Sequence, residues 1–145
     1  MIAVEGTKPP PVLAAIRGMN ADLIREVAKL YLAPVMTVAD VTYGRGVFWK
    51  KTDLSGIEFK PSDLLHEVPA CRIDFRALPY PSGSLDVLVL DPPYMHTAAS
   101  IKPSISRCYG NRETAVQTGV KCHKDVLALY RGGIAEAART LKPSG

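Results

Sequence analysis

An apolar run that ends in Asp91-Pro92-Pro93-Tyr94 constrains this chain more than any other feature. The run, residues 85–90, is interrupted by one acid only and is typical of a buried strand of a parallel sheet. Each proline fixes its own φ and lacks an N–H, so the corner after the strand is stiff and its carbonyl groups can accept hydrogen bonds. An acid, these carbonyls and an aromatic ring together suit a flat heterocycle that carries an NH2 group.

A second strand and turn lie upstream of that corner. Residues 35–40 predict a strand that ends at Asp40, and the turn after it carries Gly44 and Gly46 one residue apart. Glycines in such a turn permit positive φ and a close approach of the backbone to a ligand. The same pattern occurs in ordinary glycine turns, and its place directly after a strand and an acid is what favours a ligand site.

Two further acids follow in order. Glu58 lies 18 positions after Asp40 and is predicted to end a second strand, where an acid holds a ribose diol in nucleotide-binding α/β folds. A solvated glutamate at a strand end is the alternative. Residues 71–74 predict a short third strand that ends at Asp74.

This ordered set resembles the amino-methyltransferases that use S-adenosylmethionine to methylate N6 of adenine or N4 of cytosine in DNA. The resemblance runs from about residue 35 to the end of the chain. It implies an α/β fold with a Rossmann-like class I methyltransferase sheet, incomplete here, of about four mainly parallel strands with flanking helices. The chain departs from the family pattern at Thr42, where the family usually has Phe, and at Val41, where it often has Pro.

The resemblance also implies roles for individual residues. Asp91 and the backbone carbonyl of Pro92 would accept the hydrogens of the target amine, and Tyr94 would stack on the base, with Pro93 completing the motif. The residues that would contact the cofactor are Asp40, Thr42, Gly44, Gly46, Glu58 and Asp74. Asp at position 91 favours adenine as the target, because the cytosine-N4 enzymes more often carry Ser there.

The net charge of +4 is concentrated after the proline corner. Residues 95–131 hold six basic residues and two acids, and the rest of the chain is balanced. Such a segment next to the corner is expected to contact the phosphates of DNA, although a solvated loop without a partner has the same composition. The predicted nucleic-acid contacts are Lys102, Arg107, Arg112 and Lys121.

Length and helical periodicity predict one domain, residues 20–145, preceded by an arm over residues 1–19. A first helix is expected from Asn20, which can cap it, to a stop at Pro34, with an apolar face of Leu23, Ile24, Val27, Leu30 and Tyr31. A last helix is expected over residues 124–141, with Leu127, Tyr130, Ile134, Ala137 and Leu141 on one face and a weak point at Gly132-Gly133. The strand before the corner would keep an open edge, which a second copy of the chain or later strands would cover.

The sequence argues against a membrane-spanning protein, a protein with a signal peptide and a zinc protein. No stretch reaches 18 apolar residues, and the first 11 residues do not form a signal peptide, so no membrane association is expected. Three scattered cysteines fit a reducing, cytoplasmic setting. Cys108 with Cys122 and His123 lacks the paired spacing of a zinc site, so no metal is predicted.

The leading functional hypothesis is therefore a site-specific DNA amino-methyltransferase that acts on N6 of adenine. Methylation of an adenine in RNA is the alternative within the same chemistry. The alternative from another class is a catalytically inactive remnant that binds the cofactor or DNA. The pattern carries no information on the recognition sequence.

Overall fold

The described part of the chain is an α/β fold built on a small parallel sheet. A computed structural model of the protein describes residues 15–64, 72–92 and 123–143. In chain order the elements are α1 (Asn20–Tyr31), β1 (Thr37–Asp40), a 3-10 helix (Val47–Trp49), β2 (Glu58–Pro61), β3 (Val87–Val89) and α2 (His123–Thr140). The three strands are parallel and lie in the order β2-β1-β3. This architecture is compatible with part of a Rossmann-like fold.

The central strand, β1, forms the inner wall of the core. Val38 and Ala39 are fully buried, as expected for a strand with a parallel neighbour on each side. Its register aligns Asp40 with Pro61 on one side and with Val89 on the other. The core cluster consists of Ala39, Val41, Phe75, Leu78 and Leu85.

The strands are shorter than the sequence predicts, for local reasons. Val35 has a φ of 66°, a conformation that a β-branched residue rarely adopts, so β1 begins at Thr37 and not at residue 35. Of the third strand predicted over residues 71–74, position 71 lies outside the described residues, and positions 72–74 form one isolated bridge, between Arg72 and Asp63. The apolar run of residues 85–90 contributes three residues to β3.

The two ends of helix α1 are set by Asp22 in its first turn and by Pro34 after its last residue. Asn20 is the first helical residue and not the cap; the Asp22 carboxylate accepts the N–H of Met19, the residue before the helix, at 3.1 Å. Leu32 is extended, and Pro34 disfavours helical geometry at the residue before it.

The face that α1 turns toward the rest of the protein differs from the predicted apolar face. Ala21 is its buried residue, and the helix contacts the 3-10 helix, with an ion pair of 2.7 Å between Asp22 and Lys51. Leu23, Val27, Leu30 and Tyr31 are exposed. The apolar face predicted for α1 is thus largely exposed, and Ile24 is half-buried.

Helix α2 follows the predicted bounds within one residue, but its packing face is also shifted. Val126 is buried and Leu129 packs on the core, whereas Leu127 and Ile134 are exposed. Gly133 is a site of close packing and not a weak point. A Cβ built on Gly133 would lie 3.0 Å from both Leu90 Cδ2 and Phe75 Cδ2, so a glycine lets the helix approach the core.

Replacement of Gly133 by leucine should therefore destabilise the fold. The added side chain has to displace Leu90 and Phe75, and we expect the free energy of unfolding to fall by about 2–3 kcal/mol. Ala135→Leu is the matched control, because Ala135 is an exposed residue of the same helix. Urea denaturation followed by circular dichroism measures both variants, and equal stabilities would contradict the close packing inferred at Gly133.

Side chains near the end of α2 are hydrogen-bonded to the segment that leads into β3. Glu136 accepts the backbone N–H of Leu78 at 2.7 Å, and Arg139 donates to the carbonyl oxygens of Leu78 and Tyr80. Arg139, together with the Leu78 amide, lowers the pKa of Glu136 to about 2. These contacts hold the chain that enters β3 in a fixed position.

The segment just before β3 is paired on its outer side at Leu85. Leu141 forms a parallel bridge with Leu85, and the N–H of Lys142 donates to the Leu85 carbonyl at 2.9 Å. Lys142 also pairs with Asp86, whose second oxygen accepts the N–H of Thr37. The prediction of an entirely open edge is therefore wrong at Leu85, where the chain after α2 begins to pair.

Candidate functional site

The carboxyl ends of β1 and β3 meet where the strand order of the sheet reverses. From β1 the chain goes on to β2 on one side, and β3 is added on the other side. In open parallel sheets, ligands bind in the crevice outside the carboxyl ends of the strands at such a reversal point. The glycine turn after β1 and the proline corner after β3 both lie at this edge.

The two segments are joined by a backbone hydrogen bond and by the side chain of Thr42. The N–H of Val41 donates to the Val89 carbonyl at 3.2 Å and extends the pairing beyond the strand ends. Just beyond it, the N–H of Asp91 donates to Thr42 Oγ1 at 2.8 Å. Asp91 is exposed and Pro92 is buried. The structure thus brings Thr42 and Asp91 together; Pro93 and Tyr94 lie outside the described residues.

The turn after β1 has the backbone that its glycines predict. Gly44 and Gly46 have φ values of 54° and 66°, which confirms the expected positive φ at both. Among the described residues, apart from its neighbours in the chain, no atom comes within 4 Å of a Cβ built on Gly44. Gly46 is different, because the Tyr43 ring occupies the place of its missing side chain. Gly44 thus offers an accessible backbone, and Gly46 allows the turn to fold under Tyr43.

The end of β2 supports the same turn. The N–H of Tyr43 donates to the Ser62 carbonyl at 3.0 Å, and the N–H of Gly44 donates to Asp63 Oδ2 at 2.9 Å. Asp63 therefore holds the glycine turn from the neighbouring strand, a role that the sequence interpretation missed. The signal for it was available, since Asp63 is the first acid after the strand that contains Phe59.

Asp40 is a buried support of the turn. It is 1% exposed, and its two oxygens accept from different donors, the N–H of Thr42 at 3.0 Å and Nε1 of Trp49 at 2.6 Å. Burial raises the pKa of Asp40, and the hydrogen bonds from Trp49 and Thr42 act in the opposite direction. Because both carboxylate oxygens accept hydrogen bonds from within the protein, the Asp40 side chain stabilises the glycine turn from its buried side. Trp49 packs in the core as well, with its ring 4.8 Å from that of Phe59.

Glu58 lies at the amino-terminal end of β2, whereas the glycine turn follows the carboxyl-terminal end of β1. It is the first residue of β2 and pairs in register with Thr37, the first residue of β1. Its carboxylate accepts from Lys60 Nζ at 2.6 Å and from Thr37 Oγ1 at 2.9 Å. Three residues of strand separate it from the carboxyl edge, a distance of about 10 Å. The prediction that Glu58 ends the second strand beside the turn is therefore wrong.

Asp74 lies on the side of the carboxyl edge next to β2. It follows Ile73, whose N–H donates to the Asp63 carbonyl at 3.3 Å. Its carboxylate accepts from Arg76, which lowers the pKa of Asp74. Lys102, Arg107, Arg112 and Lys121 lie outside the described residues.

Comparisons with protein-family models, with curated proteins and with solved structures found no match. Within residues 15–64, 72–92 and 123–143, no helix has both the length and the apolar character needed to cross a bilayer. The same part of the chain contains no cluster of three His, Cys, Asp or Glu side chains arranged to hold a metal ion.

Proposed function

We propose that this chain is the core of a class I, S-adenosylmethionine-dependent methyltransferase that acts on an exocyclic amino group of DNA, most specifically N6 of adenine. One observation carries the proposal. The glycine turn and the acid of the proline corner lie side by side at the strand reversal point, joined by the hydrogen bond of 2.8 Å between Asp91 and Thr42. A cofactor on the turn and a base at the corner would therefore be neighbours.

The residues present fit the nucleoside end of such a cofactor. No described residue fills the space beside Gly44, and the buried Ser62 hydroxyl has no hydrogen-bond partner within the same part of the chain. Asp63, next to Ser62 at the carboxyl end of β2, has the position at which an acid holds a ribose diol in related architectures. We therefore assign the ribose contact to Asp63 in place of Glu58.

The chemistry proposed for the corner is the activation of a poor nucleophile. The lone pair of an aromatic amine is delocalised into its ring, and acceptors at its two hydrogens favour the tetrahedral nitrogen that attacks. Asp91 is exposed to solvent and can supply one acceptor, with the Pro92 carbonyl as the other. S-adenosylmethionine, when bound, supplies an electrophilic sulfonium methyl group. The amine nitrogen would bond to the methyl carbon as the carbon–sulfur bond breaks, with S-adenosylhomocysteine as the leaving group, and would then lose its proton to Asp91 or to water.

Two measurements test the proposal. Titration calorimetry with S-adenosylmethionine reports whether the cofactor binds, and transfer of a tritiated methyl group to adenine-rich DNA reports whether the reaction occurs. Adenine-rich RNA is the parallel substrate. Transfer to RNA alone would change the substrate to RNA, binding without transfer would identify a cofactor-binding remnant, and absence of binding would overturn the proposal.

The assignment of Asp63 gives a prediction with a matched pair of variants. Asp63→Ala removes both the proposed ribose contact and the acceptor of the Gly44 N–H, and we expect S-adenosylmethionine to bind at least tenfold more weakly, as for the loss of about 1.4 kcal/mol or more. Glu58→Ala should bind within twofold of the parent, because Glu58 lies at the other edge. Calorimetry compares the three proteins, and a larger loss for Glu58→Ala would reverse the assignment.

A further inference from the structure

The proline corner has only one main-chain donor. Pro92 and Pro93 have no N–H, so the N–H of Asp91 is the single backbone hydrogen available from residues 91–93. That hydrogen is donated to Thr42 Oγ1 and not to the neighbouring strand. The position of the Asp91 backbone relative to the glycine turn therefore depends on a side chain of the turn.

The hydroxyl of Thr42 is suited to this task because it has both acceptor and donor capacity. A hydroxyl offers one hydrogen and two lone pairs. Thr42 Oγ1 also lies 3.5 Å from Asp40 Oδ1, which already accepts the N–H of Thr42. Because the Asp91 N–H can only donate, Thr42 Oγ1 accepts from it with a lone pair, and the hydroxyl hydrogen remains free to be donated to Asp40 Oδ1. A polar chain thus leads from buried Asp40 through Thr42 to the exposed acid.

We infer that Thr42 is a positioning residue that fixes Asp91 against the glycine turn, an inference that rests on the proposed methyl transfer. Through its bond to the Asp91 N–H, the Thr42 hydroxyl sets the distance between the Asp91 carboxylate and a cofactor bound on the turn. The phenylalanine that the resembled family usually carries at this position has no acceptor for the Asp91 N–H. The hydrogen bond between the Asp91 N–H and the Thr42 hydroxyl therefore depends on the threonine that this chain carries at position 42.

The test compares Thr42→Val, which keeps the shape but removes the hydroxyl, with Thr42→Ser, which keeps the hydroxyl. Misplacement of a reacting group by about 1 Å can cost roughly 100-fold in rate. We expect Thr42→Val to lower kcat for methyl transfer roughly 10- to 100-fold while the KM for S-adenosylmethionine stays within about twofold. Thr42→Ser should restore kcat to within about threefold of the parent.

Thr52→Val is the matched control, because the Thr52 hydroxyl is buried and has no hydrogen-bond partner among the described residues. It should leave kcat and KM unchanged. Calorimetry with S-adenosylmethionine and thermal melting of each full-length variant report whether the turn and fold are retained. Amide hydrogen exchange at Asp91, followed by NMR, should accelerate in Thr42→Val and not in Thr42→Ser or Thr52→Val.

The outcomes separate this inference from the proposed function. A parent protein that neither binds S-adenosylmethionine nor transfers a methyl group overturns both. An active parent with an equally active Thr42→Val variant overturns the positioning role alone. The same holds if Thr42→Ser is as impaired as Thr42→Val, since the hydroxyl would then be irrelevant, or if kcat and cofactor affinity fall together.

Discussion

Replacement of Asp91 by alanine should lower the rate of methyl transfer by roughly 10²- to 10⁴-fold and leave the fold intact. The carboxylate is the acceptor proposed for an amine hydrogen, and its loss removes both the alignment of the nitrogen and a site for the departing proton. General acid–base groups contribute roughly 10²- to 10⁴-fold to the rate, and we expect a loss in that range. Tritium transfer to adenine-rich DNA measures it.

The fold should tolerate this change because of how Asp91 is attached. The residue is exposed, and its bond to Thr42 is made by its backbone N–H, which alanine retains. Thermal melting and the affinity for S-adenosylmethionine should therefore match those of the parent.

Asp91→Asn and Asp53→Ala are informative comparisons. The asparagine keeps an acceptor oxygen but cannot take up the proton as a carboxylate does, so its rate should lie between those of the parent and the alanine variant. Asp53 is an exposed acid bonded to Ser55 within its own turn, and its removal should leave transfer unchanged. Full activity of Asp91→Ala would remove Asp91 from the mechanism.

The order of the elements and the type of the turns could be predicted from the sequence because their causes are local. Positive φ at Gly44 and Gly46 follows from the glycines themselves. The bounds of α2 follow from a helical periodicity over 18 residues, a stretch long enough to average out single exceptions. The end of β1 at Asp40 follows from a buried run that meets an acid and a glycine turn.

The register of the second strand could not be predicted, because its cause is not local. A strand of four residues with mixed burial carries little alternation. Its position is set by pairing, which aligns Glu58 with Thr37 and leaves Ser62 and Asp63 beside the glycine turn. A shift of a few residues along the chain moves an acid from one end of the strand to the other, which explains why Glu58 was predicted to end the strand that it begins.

The contacts that build the site were missed for the same reason. Thr42 and Asp91 are 49 positions apart in the chain, and neither residue type signals the other. The bond between Trp49 and Asp40 was also missed, because a tryptophan after a glycine turn suggests apolar packing and gives no sign of its indole donor. Gly133 shows the converse error, since a helical glycine lowers intrinsic helix stability and still improves packing against Phe75.

Replacement of Asp40 by alanine should have the largest effect on stability among the turn residues. The carboxylate is 1% exposed and accepts from both Trp49 Nε1 and the N–H of Thr42. Alanine leaves the buried Trp49 Nε1 donor and the partly buried Thr42 N–H without their acceptor. Hydrogen bonds to charged groups contribute roughly 1.5–3 kcal/mol each, and the cost of burying the charge offsets part of this, so we expect a loss of about 3 kcal/mol. Urea denaturation followed by the fluorescence of Trp49, the single tryptophan, measures it.

Asp40→Asn removes the charge of the side chain but keeps its shape. It therefore shows how much of the stability comes from the charge and how much from the geometry of the hydrogen bonds to Trp49 and Thr42. An amide offers one oxygen, so it can satisfy only one of the two donors, and its NH2 group faces the other. The loss in free energy of unfolding should lie between zero and that of alanine. Asp53→Ala, at an exposed turn, should change stability much less. A stability of Asp40→Ala equal to that of the parent would show that Trp49 and Thr42 find other acceptors.

The pH dependence of the same comparison follows from the pKa of Asp40, which burial raises above 3.8. A group whose pKa is raised in the folded state binds its proton more tightly there than in the unfolded chain. The stabilisation from that proton is complete below 3.8 and is lost as the pH rises through the higher pKa of the folded state. The parent should therefore gain stability relative to Asp40→Asn, which does not titrate, as the pH falls through this window. A difference between the two that stays constant with pH would mean that Asp40 titrates as an ordinary exposed carboxyl, and its burial under the turn would then be wrong.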